Sequence, residues 1–133
     1  MENLFQLNFT PQQVGAVSNL GLAHIGDGVF ELLCRSWLCT RGDKTVLKLH
    51  RNTVELVRAP AQAEAAEKIL AMLTEEEQAV FRRGRNANVH SIPQNASRAQ
   101  YQQATALEAL MGWLYLRGQK DRIEALFSVM MGE

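Results

Sequence analysis

Residues 22–33 read LAHIGDGVFELL, a segment whose apolar residues recur at helical spacing and whose aspartate, Asp27, stands between two glycines. A carboxylate in a segment suited to burial is costly unless a cation, a metal ion or water lies close to it. The pattern therefore predicts a helix over 20–39 with an acid that needs a partner. The predicted core stripe of this helix consists of Leu22, Ile25, Val29, Leu32 and Leu33.

A second segment, ATALEALMG at residues 104–112, repeats the pattern with Glu108 as its internal acid. It lies within a helix predicted over 98–116, where Glu108 and Gly112 share one side. A glycine inside a helix costs about 1 kcal/mol and is best explained by a second backbone packed closely against it. Gly26 and Gly28 suggest the same, so the two helices are predicted to cross there and bring Asp27 and Glu108 together.

The whole chain is predicted to be a single all-α domain over residues 1–133, because strand-type alternation is nearly absent and the length suits one domain. A short helix is expected after Thr10 and another after Thr74, the second ended by Gly84. Further helices are predicted over 44–57, 61–72 and 121–130, and a polar loop over 85–96. With neither a signal peptide nor a membrane span in the sequence, we expect a cytoplasmic protein that has no membrane partner.

Two facing carboxylates can bind Mg²⁺, a hard cation that prefers oxygen ligands. A divalent ion held in this way supports phosphodiester hydrolysis. The alternative is that Asp27 pairs within the fold, for example with Arg35, and both interpretations stay open at the level of residue spacing.

Basic residues are clustered locally in a chain whose formal net charge is zero. Clustered cations contact phosphate backbones, although short basic runs are also common on solvated surfaces. The candidate nucleic-acid-binding residues are Arg82, Arg83, Arg85 and Asn86 in one cluster and His50 and Arg51 in another.

Three separated blocks, at residues 22–31, 83–87 and 104–116, closely resemble Mini-ribonuclease III in order and spacing. The resemblance implies the helical bundle of a ribonuclease III endonuclease domain, a homodimer, Mg²⁺ dependence and cleavage of double-stranded RNA. It also implies maturation of the 23S ribosomal RNA precursor, with a ribosomal protein on the precursor as a further candidate partner. The family's catalytic and metal-binding acids carry over to Asp27 and Glu108.

Two positions depart from the larger ribonuclease III enzymes, where Ala23 and Thr105 would each be a metal-coordinating acid. This loss is also characteristic of the Mini family, and it leaves the number of bound metal ions open. Two other functions compete with the enzyme: a catalytically silent helical RNA-binding or ribosome-assembly module, and a helical protein-interaction domain without an RNA role.

Overall fold

The computed structural model describes residues 1–87 and 96–133, and these residues form α-helices joined by short connections without a strand. The predicted all-α fold is thereby confirmed. No helix within residues 1–87 and 96–133 is both long enough and apolar enough to cross a membrane. The helices are α1 (Pro11–Gly15), α2 (Asn19–Thr40), α3 (Val46–Val57), α4 (Ala59–Ile69), α5 (Glu75–Arg85), α6 (Arg98–Leu116) and α7 (Lys120–Met130).

Capping boxes mark where α1, α5 and α6 begin. The side chains of Thr10, Thr74 and Ser97 each accept a hydrogen bond from the backbone N–H three residues later, and the side chain at that third position accepts one from the backbone N–H of the cap residue. These reciprocal bonds satisfy backbone donors that a helix start leaves without partners. The predicted starts after Thr10 and Thr74 are confirmed. At the other end of α6, Gly118 takes the left-handed conformation with φ +74°, as predicted for the residue that ends it.

Two predicted boundaries are wrong for local reasons. The helix predicted from residue 61 begins two residues earlier, with Pro60 in the first turn of α4, where a missing N–H costs no hydrogen bond. Gly84 is predicted to end α5, but it lies inside the helix and is buried against α6. A Cβ at Gly84 would come within 2.7 Å of the Ala109 Cβ, so the glycine permits close packing. Residues 88–95 of the predicted loop lie outside the described residues.

Helix α6 is the centre of the fold. Between residues 104 and 114 every side chain is buried except that of Glu108, which is half-buried. Helices α2, α4, α5 and α7 pack around it. Glu108 is thus the half-buried residue in an otherwise buried stretch of α6, and the central position of this helix places α2 for the crossing described below.

The buried stripe of α2 differs from the predicted one. Leu22 is buried as expected, but Leu32 is 54% exposed, and three other predicted members are only half-buried. The contact with α6 passes through Gly26, so the buried side of α2 is the one that carries this glycine. The residues buried in α2 are Leu22, Ala23, Gly26, Phe30, Cys34 and Leu38.

Candidate active site

Helices α2 and α6 cross with their backbones in direct contact. A Cβ built on Gly26 would lie 1.6 Å from the Glu108 carbonyl oxygen, and one built on Gly112 would lie 2.0 Å from the Leu22 carbonyl oxygen. Neither position can therefore carry a side chain without separating the helices. The predicted crossing is confirmed at Gly26 and Gly112. It is wrong for Gly28, where a Cβ would meet nothing within 4 Å.

The crossing brings the Asp27 and Glu108 carboxyl groups together. Asp27 follows the contact glycine in α2, and Glu108 carries the carbonyl oxygen that touches this glycine. Burial, a side-chain hydrogen bond with Asp27 and the negative charge of Asp27 raise the pKa of Glu108 to about 8. Glu108 therefore holds a proton near neutral pH, because a second negative charge beside Asp27 is unfavourable in this partly buried position.

Burial is distributed between the two acids differently from what the sequence predicted. Asp27 is exposed on the outer side of α2, and Glu108 is the half-buried member of the pair. The apolar residues around Asp27 in the sequence belong to other faces of the helix. The site is therefore open to solvent on the α2 side and closed on the α6 side.

Gln62 of α4 is a third member of the site that sequence reasoning did not select. Its side chain is 3% exposed, and its Nε2 donates to Glu108 Oε2 at 3.4 Å and to the Val57 carbonyl oxygen at 2.8 Å. The available signal was one amide among the alanines of α4. That signal marks a buried polar group but cannot identify its partner, which lies 46 residues away.

The positions that lack acids do not supply substitute ligands. Ala23 is buried, and the Thr105 hydroxyl donates to the Tyr101 carbonyl oxygen at 3.0 Å, which is a bond within its own helix. Across residues 1–87 and 96–133, no group of three or more His, Cys, Asp or Glu side chains is arranged to hold a metal ion. Of the four acid positions of the larger enzymes, only Asp27 and Glu108 carry a carboxylate.

The alternative partner for Asp27 is already paired. Arg35 Nη2 lies 2.7 Å from Glu31 Oε2, one helical turn away, so this arginine forms an exposed ion pair with Glu31. Asp27 forms no ion pair within the described part of the chain. His24, on the same face of α2, is exposed. The pairing of Asp27 with Arg35 is therefore wrong.

The two candidate RNA-binding clusters lie on different helices. Arg82, Arg83 and Arg85 are exposed in the last turn of α5, and Asn86 follows as the C-terminal cap. Gly84 places this turn against Thr105, Ala106 and Ala109, the turn of α6 that also carries Glu108.

His50 and Arg51 are exposed on α3, which packs on α2 and α4. His50 borders a hollow of about 200 Å³ with Cys39 and Val46 among its walls. The two clusters therefore belong to separate elements of the fold, and only the first adjoins the turn that carries Glu108.

Comparisons with known proteins agree on one family. The Ribonuclease III domain matches residues 20–119. Mini-ribonuclease 3 of Enterococcus faecalis is 41% identical over 114 residues, which cover 84% of this chain and 86% of that protein. Mini-ribonuclease 3 of Symbiobacterium thermophilum is 45% identical over 104 residues, 78% of this chain and 80% of that one. A crystal structure of a Fusobacterium nucleatum protein superposes with a TM-score of 0.81 at 28% identity, covering 88% and 93% of the two chains.

Proposed function

Because the chain belongs to the Mini-ribonuclease 3 family, it is an endoribonuclease, and we propose that it cuts double-stranded RNA with Asp27 and Glu108 as its acid pair. The observation that carries the site assignment is the glycine-mediated crossing of α2 and α6, which brings these two carboxyl groups into contact. The same fold would tolerate many surface acids. Two acids forced together at a backbone crossing are costly for stability and are explained by a bound cation.

The donor set fits Mg²⁺. Two carboxylates supply the hard oxygen ligands that this ion prefers, and the open α2 side leaves space for water and phosphate oxygens. When bound, Mg²⁺ would supply Lewis acidity and charge stabilisation for phosphodiester hydrolysis. Asp27 and Glu108 hold the ion in this proposal, and Gly26 and Gly112 keep the two acids at the required separation.

The basic end of α5, defined as Arg82, Arg83, Arg85 and Asn86, is the proposed RNA contact. It lies against the same turn of α6 as Glu108, so an RNA backbone held there would run close to the acids. A-form RNA is recognised mainly through its shape, phosphates and 2′-hydroxyls, which suits arginines without a base-reading element. The contact with His50 and Arg51 stays a prediction with no further support from their placement on α3.

A homodimer is proposed from the exposed apolar side chains of α2 and α3. Leu32, Val46, Leu47 and Val54 are 54%, 82%, 65% and 44% exposed. We call these four residues the α2–α3 apolar surface. Because α2 and α3 pack on each other, several exposed apolar side chains on this pair of helices favour a protein interface, and a two-fold axis would give each strand of a duplex its own acid pair. Leu47→Glu should yield a monomer by light scattering, and an unchanged dimer would contradict this assignment.

The 23S ribosomal RNA precursor is the proposed natural substrate, on the strength of the family resemblance. Cells that lack the protein should accumulate a longer 23S precursor, which primer extension would detect. A ribosomal protein bound to the precursor is a further proposed partner, and adding it to the cleavage reaction should increase the rate on the precursor.

The central experiment is cleavage of a paired RNA stem with and without Mg²⁺. Asp27→Asn and Glu108→Gln should each abolish cutting while the thermal unfolding temperature stays the same or rises. Glu31→Gln is the matched control, since Glu31 is an acid of the same helix that already pairs with Arg35. Unchanged cleavage in both site variants would refute the acid pair, and binding without cleavage in the wild type would favour a silent RNA-binding module.

A further inference from the structure

Gln62 joins three elements of the fold at the acid pair. It belongs to α4, its backbone N–H donates to the Arg58 carbonyl oxygen at 3.0 Å, and its side chain reaches both the end of α3 and Glu108 of α6. At 3% exposure it is one of four buried polar or charged residues among those described. A buried amide in an alanine-rich helix needs a reason, because an apolar residue of similar size would fill the same space without polar atoms to satisfy.

The two acceptors determine the orientation of the Gln62 amide. Val57 is the last residue of α3, and its carbonyl oxygen lacks a partner within that helix. Nε2 offers one hydrogen to this carbonyl and the other to the Glu108 carboxylate. Rotating the amide by half a turn would direct its oxygen at the Val57 carbonyl oxygen and lose the shorter of the two bonds. The amide is therefore held in one orientation, with its donor group toward Glu108.

The amide also has a cost that a purely structural residue would avoid. Gln62 Oε1 is buried and has no hydrogen-bond partner among the described residues. A buried polar atom without a partner typically costs about 1–3 kcal/mol. This cost and the 3.4 Å length of the bond to Glu108 indicate that stability alone does not explain the glutamine.

A neutral donor is the suitable neighbour for an acid that binds a cation. An arginine or lysine at position 62 would neutralise Glu108 and compete with a metal ion, and another acid would add to the repulsion from Asp27. The amide holds one carboxylate oxygen without changing the charge of the site. This matters more where Ala23 and Thr105 supply no further carboxylate.

We propose that Gln62 is a positioning residue that holds the Glu108 carboxylate in the orientation in which, together with Asp27, it binds a divalent metal ion. The proposal rests on the proposed function, since it assumes that the acid pair holds the ion. Groups that orient metal ligands through hydrogen bonds typically change metal affinity roughly 10- to 100-fold when removed. A residue that served only the core would change the unfolding temperature and leave metal affinity as it was.

The test measures Mg²⁺ binding by the free protein, in the absence of RNA, by calorimetry and by the rise of the unfolding temperature with Mg²⁺. Gln62→Leu and Gln62→Met should each require roughly 10- to 100-fold more Mg²⁺ than the wild type. The methionine variant keeps the side-chain length, so it tests the hydrogen bond even if the leucine variant does not fold. In cleavage, saturating Mg²⁺ should restore much of kcat, and KM for RNA should stay unchanged.

Gln103→Leu is the matched control. Gln103 Nε2 also links α6 to an α4 glutamate, Glu67, at 3.1 Å, but this bond is exposed and does not involve Glu108. Its loss should leave Mg²⁺ binding unchanged. The proposal is overturned if both Gln62 variants bind Mg²⁺ at the same Mg²⁺ concentration as the wild type. It is also overturned if the wild type cuts RNA although the free protein does not bind Mg²⁺. Failure of the proposed function differs from both, since there Asp27→Asn would leave cleavage intact.

Discussion

Glu77 and Glu108 are two glutamates withdrawn from solvent, and the fold surrounds them in opposite ways. Arg122 Nε and Nη2 each donate to the Glu77 carboxylate at 2.8 Å, and the Thr74 backbone N–H donates at 2.9 Å. Burial acts to raise the pKa of Glu77, but these bonds and the charge of Arg122 outweigh it, so the pKa is lowered. Glu108 instead faces the acid Asp27 and the neutral amide of Gln62, and its pKa is raised to about 8.

The difference separates an acid whose countercharge is part of the chain from an acid that faces a second carboxyl group. A buried carboxylate that serves the fold has its countercharge built into the chain, and Arg122 also anchors the Met72 carbonyl oxygen. Glu108 has no such countercharge within the described residues, and its surroundings favour a positive ion that arrives from solution. An acid that the fold leaves without its cation is therefore a better marker of a site than burial alone.

Catalysis should separate the two glutamates most strongly. Glu108→Gln should reduce the cleavage rate on the order of 10⁴-fold, or about 5 kcal/mol in the barrier, because one of the two proposed metal ligands is lost. Glu77→Gln should leave the rate per folded molecule near that of the wild type. Single-turnover cleavage of a duplex RNA at saturating Mg²⁺ measures both. A comparable loss in the Glu77 variant, measured well below its unfolding temperature, would remove the distinction.

For stability we expect the opposite order, with a large loss when the surroundings of Glu77 are changed and none when Glu108 is replaced. Arg122→Met leaves the Glu77 carboxylate buried without its cation, which typically costs about 3–5 kcal/mol and lowers the unfolding temperature by roughly 10 °C or more. Glu108→Gln removes a repulsion and should not destabilise the protein. Thermal unfolding followed by circular dichroism checks both. Combining Arg122→Met with Glu77→Gln should recover part of the loss, and a simple sum of two losses would mean that the two residues do not act as a pair.

The pH dependence of the free energy of unfolding tests the difference between Glu108 and Glu77 without a cleavage assay. Because the pKa of Glu108 rises from 4.5 to about 8 on folding, the folded protein holds this proton more tightly than the unfolded chain. The resulting stabilisation is complete below pH 4.5 and is lost as the pH rises through 8. Glu108→Gln stays neutral throughout, so in EDTA its stability should match the wild type near pH 4.5 and exceed it by about 2 kcal/mol or more above pH 8.

Glu77 provides the internal reference for that measurement. Its lowered pKa gives a stabilisation that is present above the ordinary carboxyl value and lost as the pH falls through the folded pKa. This acid-side loss should occur equally in the wild type and in Glu108→Gln. If the free energies of unfolding of the wild type and of Glu108→Gln differ by the same amount at every pH from 5 to 9, Glu108 titrates as an ordinary surface acid.

Local patterns were sufficient for much of the fold and for the acid pair. The bounds of α6 agree with those predicted, and its position follows from residues within a few turns of each end. Gly26 and Gly112 revealed the crossing because a glycine inside a helix is costly unless a second backbone packs closely against it. Each of these features is encoded by neighbours in the sequence.

The features that the sequence did not predict depend on distant partners. Thr74 and Glu77 have the residue types of a capping box, and the structure confirms that bond, but the pairing of Glu77 with Arg122 spans 45 residues. Gln62 is an ordinary amide until α4 is packed on α6. The exposure of Leu32 likewise follows from the side of α2 that carries the glycine contact and not from the spacing of its leucines.

Arginines show the same contrast as the glutamates, with a smaller expected effect. Arg122 forms an ion pair with Glu77, whereas Arg85 is exposed at the basic end of α5. Arg85→Ala should therefore change stability by no more than about 0.5 kcal/mol. It should weaken duplex RNA binding by roughly threefold to tenfold and reduce the salt slope by about one. Arg58→Ala is the matched control, since Arg58 is an exposed arginine between α3 and α4 that pairs with Glu55. If both variants weaken duplex RNA binding equally, RNA binding depends on the total charge of the protein. The basic end of α5 would then not be a specific RNA contact.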